Sequence, residues 1–251
     1  MVDRQSIVIG IPKEIKNHEY RVGATPAVVQ AFVRSGHKVL VETMAGDKIG
    51  FTDDLYAKAG AQIIASASDL YSKSDMIVKV KEPQESEYQL LKEGQVLFAF
   101  LHLAPDPLQA AALLERKVIG IAYETITDTE GRLPLLTPMS EIAGRIAIQV
   151  GATALQIANG GKGVLLGGVP GVAPGKVVVI GGGVVGTEAL RMALGLGADV
   201  TVLDTNLSRL RALDALYGPR LKTLYSSPQA LDESLKTADL VIGAVLIPGK
   251  L

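Results

Sequence analysis

Short aliphatic and β-branched runs alternate with stretches whose apolar positions recur at helical spacing. The runs Ile7–Ile9, Lys38–Glu42, Asp75–Val80, Gln95–Leu101 and Val118–Tyr123 predict strands. Between them the pattern predicts helices at Pro26–Ser35, Asp53–Ala59, Glu85–Leu91 and Pro107–Glu115. Thr25 before Pro26 has the form of an N-cap followed by proline at the first helical position, where a missing N–H costs nothing. Strand, helix, strand in this rhythm predicts an α/β fold built on a mostly parallel sheet with helices on both faces.

The pattern then changes. In "LLTPMSEIAGRIAIQVGATALQIANGG", Thr137 and Pro138 mark a helix start, and Ile142, Ile146 and Val150 recur every four residues, as one face of a long helix would. Gly160 and Gly161 supply a left-handed C-cap to end it. A Gly/Pro-rich stretch, "GKGVLLGGVPGVAPGK", reads as a structured loop. Alternation resumes at Lys176: strand Val177–Ile180, a glycine turn, a helix, strand Val200–Asp204, helix Ser208–Leu216, strand Leu221–Tyr225, helix Pro228–Lys236 and strand Leu240–Leu246. The organisation expected is a first domain over residues 1–136, a connecting helix over 137–160 and a second α/β domain over 161–251.

Composition narrows the function. Apolar residues make up 48% of 251 residues, enough for a sizeable core, and the net charge is −1. That balance points away from nucleic acid and anionic membranes as partners. There is no cysteine, hence no disulfide or thiol chemistry. The N-terminus lacks a leader pattern, and the charge-free tract Gly163–Gly175 is too short to span a bilayer, so a soluble cytoplasmic protein is expected. Three scattered histidines without acids at ligand spacing argue against a zinc site.

The glycine turn is more specific. Gly181, Gly183 and Gly186 form G-x-G-x-x-G between a predicted strand and a predicted helix. In a dinucleotide site the first glycine permits the tight turn, the second lets a pyrophosphate reach the backbone, and the third allows close helix–strand packing. The helix N-terminus offers unpaired N–H groups to the phosphates. Asp204, at the end of the next strand, can accept hydrogen bonds from ribose hydroxyls, and its charge would repel a 2′-phosphate, favouring NAD over NADP. The second domain is therefore expected to be a Rossmann-type NAD-binding domain. Arg209 is either a helix-surface charge or a ligand for a 2′-phosphate.

Ligands of open α/β sheets sit outside the carboxyl ends of the strands. In the first half those ends carry Arg21, Lys79 or Lys81, and His102. Arginine matches a carboxylate, lysine a carboxylate or ketone oxygen, and histidine exchanges a proton near neutral pH. Beside a nicotinamide, such a set suits hydride transfer at the α-carbon of a small oxo, amino or hydroxy acid. Each has a plainer reading: Arg21 as a surface charge or a partner of Glu19, His102 as a satisfied strand-end histidine, Met139 as packing. Lys79 and Lys81, two apart in an extended chain, would share a side, and spacing does not choose between them. His18 and His37 read as loop and surface residues.

Taken together, "IPKEIKNHEYRVGATP", "KVKEP", "LFAFLHLA", "IAYETI", "LPLLTPMSEIAGRIAIQVGA", "GGKGVLLGGVPGV", "VVVIGGGVVG" and "ADLVIGAVLIPG" resemble the L-alanine dehydrogenase family, which also includes the NAD-binding subunit of proton-translocating transhydrogenase. The resemblance covers essentially the whole sequence, and the run Met139–Val172 favours the alanine dehydrogenase branch. It implies a cytoplasmic homohexamer that reversibly converts L-alanine to pyruvate and ammonium with NAD. It implies that Arg21 and Lys81 hold the substrate carboxylate and ketone oxygen, that His102 is the acid/base residue, and that Met139 flanks the substrate. It maps Ser140, Gly181, Gly183, Gly186, Asp204, Arg209 and Ser226 onto the cofactor side, giving Arg209 a dinucleotide contact in the NAD-binding mode.

The resemblance also implies a longer chain. Family members continue past the position of Leu251 with further strands of the nucleotide sheet, a catalytic aspartate and an asparagine near the nicotinamide. On that reading the chain is a fragment with an incomplete nucleotide domain, and "VIGAVL" becomes an apolar sheet edge with unpaired backbone groups. Two other functions follow from the same residues: a non-catalytic dinucleotide-binding or assembly module, and a transhydrogenase subunit that exchanges hydride between two nicotinamides beside a membrane partner.

Overall fold

A computed structural model describes residues 6–245. The chain forms two compact units that divide between Leu133 and Pro134. The first is built from β1 (Val8–Ile11), α1 (Pro26–Arg34), β2 (Lys38–Glu42), α2 (Asp53–Lys58), β3 (Gln62–Ile64), α3 (Ala67–Lys73), β4 (Met76–Val78), α4 (Glu85–Tyr88), β5 (Val96–Ala99), α5 (Pro107–Glu115) and β6 (Ile119–Ala122). The anticipated N-cap is present: the Thr25 side chain accepts a hydrogen bond from the Val28 amide, and Pro26 opens α1. Asp106 and Pro107 repeat the device at α5.

Every strand pairing in this sheet is parallel, in the order β3-β2-β1-β4-β5-β6. Alternation along β2 shows how the sheet is buried on both sides. Val39 and Val41 enter one apolar cluster with Val29 of α1 and Tyr56 of α2. Leu40 enters another with Leu70 and Tyr71 of α3 and Leu113 of α5. The strand order reverses between β1 and β4, which lie side by side although β2 and β3 come between them in the chain. That junction is the topological switch point, where parallel sheets open a crevice for ligands.

The second unit contains α6 (Thr137–Ala154), β7 (Lys176–Ile180), α7 (Val184–Gly195), β8 (Asp199–Asp204), α8 (Leu207–Tyr217), β9 (Leu221–Tyr225), α9 (Pro228–Thr237) and β10 (Leu240–Gly243). Its sheet, also parallel, runs β10-β7-β8-β9, the order of the first sheet through its fourth strand. Helices α6, α7 and α8 share one core with the sheet: Ile148, Leu190 and Leu213 pack with Val177, Val179 and Val202. On the opposite face a cleft lined by Val178, Thr201, Leu224, Ala230 and Ser234 separates the sheet from α9. Among the described residues β10 is an edge strand, and Leu246, the expected end of its run, lies outside them.

The long helix differs from expectation in two ways. It ends at Ala154, and Gly160, at φ 81°, caps a separate 3-10 turn, Ile157–Asn159. Gly161 is a glycine because a Cβ there would lie 2.1 Å from the Ala154 carbonyl oxygen, so the returning chain packs against the helix end. Its apolar stripe also faces outward: Ile142, Ile146 and Val150 are 50%, 48% and 61% exposed. The buried face is Gly144, Ile148 and Gly151. A Cβ on Gly144 would sit 2.3 Å from the Val185 carbonyl oxygen, so α6 meets α7 backbone to backbone. Among the described residues no helix is long and apolar enough to cross a membrane.

Candidate functional site

In the first unit Arg21, Lys81 and His102 follow β1, β4 and β5, three consecutive strands of the sheet. At the usual spacing between strands those ends span about 10 Å. Arg21 lies in the loop between β1 and α1 and is 44% exposed, while its partner Glu19 is 6% exposed. Its Nε and Nη2 donate to the two Glu19 carboxylate oxygens at 2.9 and 2.6 Å, and its own amide donates to Glu19 at 2.8 Å. The pairing with Glu19 is thus present, and it fixes the guanidinium beside the switch point. The bonds from Arg21, with the Lys81 charge adding a smaller pull, hold the Glu19 carboxyl below its ordinary value.

The two lysines do not share an environment. β4 ends at Val78, so strand alternation does not carry through residues 79–81. Lys79 is fully buried, its Nζ 2.8 Å from Glu87 and 3.3 Å from Glu14. The Tyr71 hydroxyl donates to the same Glu87 oxygen at 2.8 Å. Lys81 is partly exposed at the strand end. His102 is exposed, sits in the left-handed region at φ 46° and stacks on Phe100 with centroids 6.0 Å apart. Its amide donates to Glu124 at 2.6 Å. His18 approaches the Tyr20 hydroxyl, in keeping with a loop residue, whereas His37, read as a surface residue, is half-buried and accepts from the Ile7 amide through Nδ1.

In the second unit the glycine turn, Asp204 and Ser226 gather at the carboxyl ends of β7, β8 and β9. Gly181, at φ 100°, turns the chain, and a Cβ there would meet the Ala244 carbonyl oxygen at 2.7 Å. Gly183 stands at the N-cap of α7, which has no side-chain cap, and a Cβ there would find nothing within 4 Å. A Cβ on Gly186 would lie 1.8 Å from the Gly181 carbonyl oxygen. Asp204 accepts from the Gly182 amide at 2.6 Å and from the Asn206 amide at 2.7 Å. Its carboxylate has acceptor sites beyond these two. Arg209 is not a helix-surface charge. Its Nε donates to the Gly182 carbonyl oxygen at 2.6 Å and its Nη2 to the Thr187 hydroxyl at 2.5 Å. The Ser226 amide donates to the Asp204 carbonyl oxygen. Met139 and Ser140 occupy the first turn of α6, one turn ahead of Gly144. An open glycine before an uncapped helix, with an acid at the neighbouring strand end, fits a dinucleotide. Among the described residues no group of three or more His, Asp or Glu is placed to hold a metal ion.

Residues 10–143 match the model of the alanine dehydrogenase/PNT N-terminal domain, and residues 147–251 match that of the C-terminal domain. The chain belongs to the alanine dehydrogenase/PNT family. It is 55% identical over 243 residues to an alanine dehydrogenase of Methanococcus maripaludis, covering 97% of this chain and 65% of that protein. A solved L-alanine dehydrogenase superposes with a TM-score of 0.90 at 52% identity, covering 97% of this chain and 67% of the other. A transhydrogenase from Sinorhizobium meliloti follows at 0.79 and 26%, covering 97% and 71%. The chain therefore spans about two thirds of the length of these alanine dehydrogenase/PNT proteins.

Glu19 stands where the sequence offered it, as a partner of Arg21; Glu14 and Glu124, which accept from backbone amides at strand ends, are residues that sequence reasoning missed. Each is an acid in a strand-end loop, a signal too common to single them out. Glu19 yields a pH prediction. Its pKa is lowered in the folded chain, so its contribution to stability is present above the ordinary carboxylate value of 4.5 and is lost as pH falls through the lowered value. Acidification through that lowered value should therefore weaken the Arg21–Glu19 pairing while the sheet persists. Protection of Arg21 Nε–H from exchange, measured by NMR against free arginine at the same pH, should fall there. In Glu19→Gln exchange should be faster than in the parent at neutral pH, and an unchanged rate there would refute the dependence.

Proposed function

We propose that this chain serves the NAD-dependent, reversible oxidative deamination of L-alanine, in which alanine, NAD and water give pyruvate, ammonium, NADH and a proton. The observation that carries the reading is the placement of Arg21, Lys81 and His102 at the ends of three adjacent strands beside the switch point. Arg21, oriented by Glu19, pairs with the substrate carboxylate through its planar fork. Lys81 places its charge on the oxygen of the keto acid. His102 exchanges the proton of the water that attacks C2. Met139 flanks the substrate. NAD, when bound, supplies the hydride acceptor. Ser140, Gly181, Gly183, Gly186, Asp204, Arg209 and Ser226 would hold it, with the pyrophosphate over Gly183 and the ribose on Asp204. The domains serving these roles are residues 1–136 for substrate and 161–251 for NAD, joined by 137–160.

The test is pyruvate- and ammonium-dependent oxidation of NADH by the chain. His102→Ala should reduce turnover about 10²–10⁴-fold while NAD affinity, read by calorimetry, stays unchanged. Full turnover without the imidazole would overturn its role. The open Gly183 turn, with Asp204 at the neighbouring strand end, supports a second reading, a dinucleotide-binding module. It expects NAD binding without any NADH oxidation by the parent chain. We further propose a cytoplasmic homohexamer. The outward stripe Ile142, Ile146 and Val150 supports self-association, and sedimentation would measure it.

A further inference from the structure

We propose that Glu14 and Glu124 are paired positioning residues, each carboxylate gripping the consecutive backbone N–H groups from which Lys81 or His102 departs. The inference rests on the reaction proposed above, in which those two side chains act on the substrate. Glu14 Oε1 accepts from the Val80 amide at 2.6 Å and the Lys81 amide at 3.4 Å. Glu124 Oε1 accepts from the His102 amide at 2.6 Å and the Leu101 amide at 3.1 Å. The two grips mirror each other across the sheet. Glu14 follows β1 and grips the end of its neighbour β4, whereas Glu124 follows β6 and grips the end of its neighbour β5.

Physical need explains the arrangement. Where β4 and β5 stop, their amides lose the regular strand ladder, and an N–H turned away from the ladder needs another acceptor. Charged acceptors give shorter, stronger bonds than carbonyls. At His102 the grip also sustains a left-handed backbone that histidine seldom adopts. The carbonyl of Leu101 is held from the other side by the buried Gln109 side chain at 2.9 Å, so the peptide preceding His102 is fixed at both its N–H and C=O ends. Behind Glu14 stands the Lys79 ammonium, 3.3 Å from Oε2, so the buried cation steadies the carboxylate that sets its neighbour.

Glutamine tests this because it keeps the shape of glutamate but lacks the charge that shortens and strengthens these bonds. The experiment uses the 251-residue chain, ¹⁵N-labelled, with Glu124→Gln and Glu14→Gln. Three quantities are read: backbone amide shifts, the dissociation constant for pyruvate, and turnover with pyruvate, ammonium and NADH. Glu124→Gln should move the Leu101 and His102 amides upfield and leave Val80 in place. It should lower turnover about a hundredfold, the effect of misplacing a reacting group by roughly 1 Å, with pyruvate affinity unchanged. Glu14→Gln should move Val80 and Lys81 and weaken pyruvate about tenfold, the loss of one charged contact. Unmoved Leu101 and His102 amides in Glu124→Gln overturn the proposal, as does an equal effect of that variant on affinity and turnover. If Glu14→Gln does not fold, Glu124→Gln decides. A parent chain that neither binds nor turns over pyruvate refutes the proposed reaction instead, and the amide pattern then decides the grips alone.

Discussion

Replacing Lys79 with methionine will destabilise the first unit by about 3–5 kcal/mol at neutral pH, the usual cost of removing one partner from a buried ion pair. Lys79 is the cation of a sealed cluster: its side chain is 0% exposed, and those of Glu14 and Glu87 are 2% and 5% exposed. With it gone, two carboxylates face each other in the interior, relieved by the Tyr71 hydroxyl and backbone amides alone. The strain is visible in the parent chain. Burial pushes the Glu14 carboxyl above 4.5 despite the pull of Lys79. A carboxyl with a raised folded pKa costs stability above its unfolded value and costs nothing below it. The deficit of Lys79→Met should therefore be largest at neutral pH and shrink as pH falls toward 4.5. Urea unfolding followed by tyrosine signals reports it, because Tyr20, Tyr56, Tyr71, Tyr88 and Tyr123 all lie in the first unit. A loss below about 1 kcal/mol, the range of exposed pairs, would show that the cluster is hydrated.

The same lysine marks where sequence reasoning stops. Regular alternation was enough to find the strands and helices that flank the site, because a parallel strand buried on both faces needs an unbroken apolar run. β3 and α3 escaped it: three residues, Gln62–Ile64, are too few to establish a period, and α3 has seven. Lys79 and Lys81 could not be separated by period either, because the strand ends just before them. Separation came from two acids on other segments, Glu14 in the loop after β1 and Glu87 in α4, converging on one ammonium. On α6 the apolar stripe suggested a packing face, yet Gly144 and Gly151 make the contact because lacking a side chain lets backbones approach. The glycine turn was legible for the opposite reason. Its constraint is local, so the residues that satisfy it are adjacent in the chain.

That locality yields a paired result. Gly183→Ala should weaken NAD binding with little loss of stability, whereas Gly186→Ala should unseat the helix itself. At Gly183 the backbone is at φ −66° and ψ −159°, which alanine tolerates, and the added methyl touches nothing within 4 Å. The change costs about 1 kcal/mol or less as a weaker N-cap. The methyl instead occupies the space through which a pyrophosphate would reach the α7 amides, so NAD affinity should fall at least about tenfold. At Gly186 the added Cβ would stand 1.8 Å from the Gly181 carbonyl oxygen, a backbone atom of the turn. Relief requires α7 to rise from β7, which breaks the packing of Ala189 and Leu190 against Val177 and Val179. Overpacking of this kind costs about 1–3 kcal/mol or more. Calorimetric titration with NAD and thermal unfolding, run on both variants, separate the two effects. Unchanged NAD affinity in Gly183→Ala would place the pyrophosphate away from this turn, while parental stability in Gly186→Ala would show that the helix–strand distance is set by contacts other than this carbonyl.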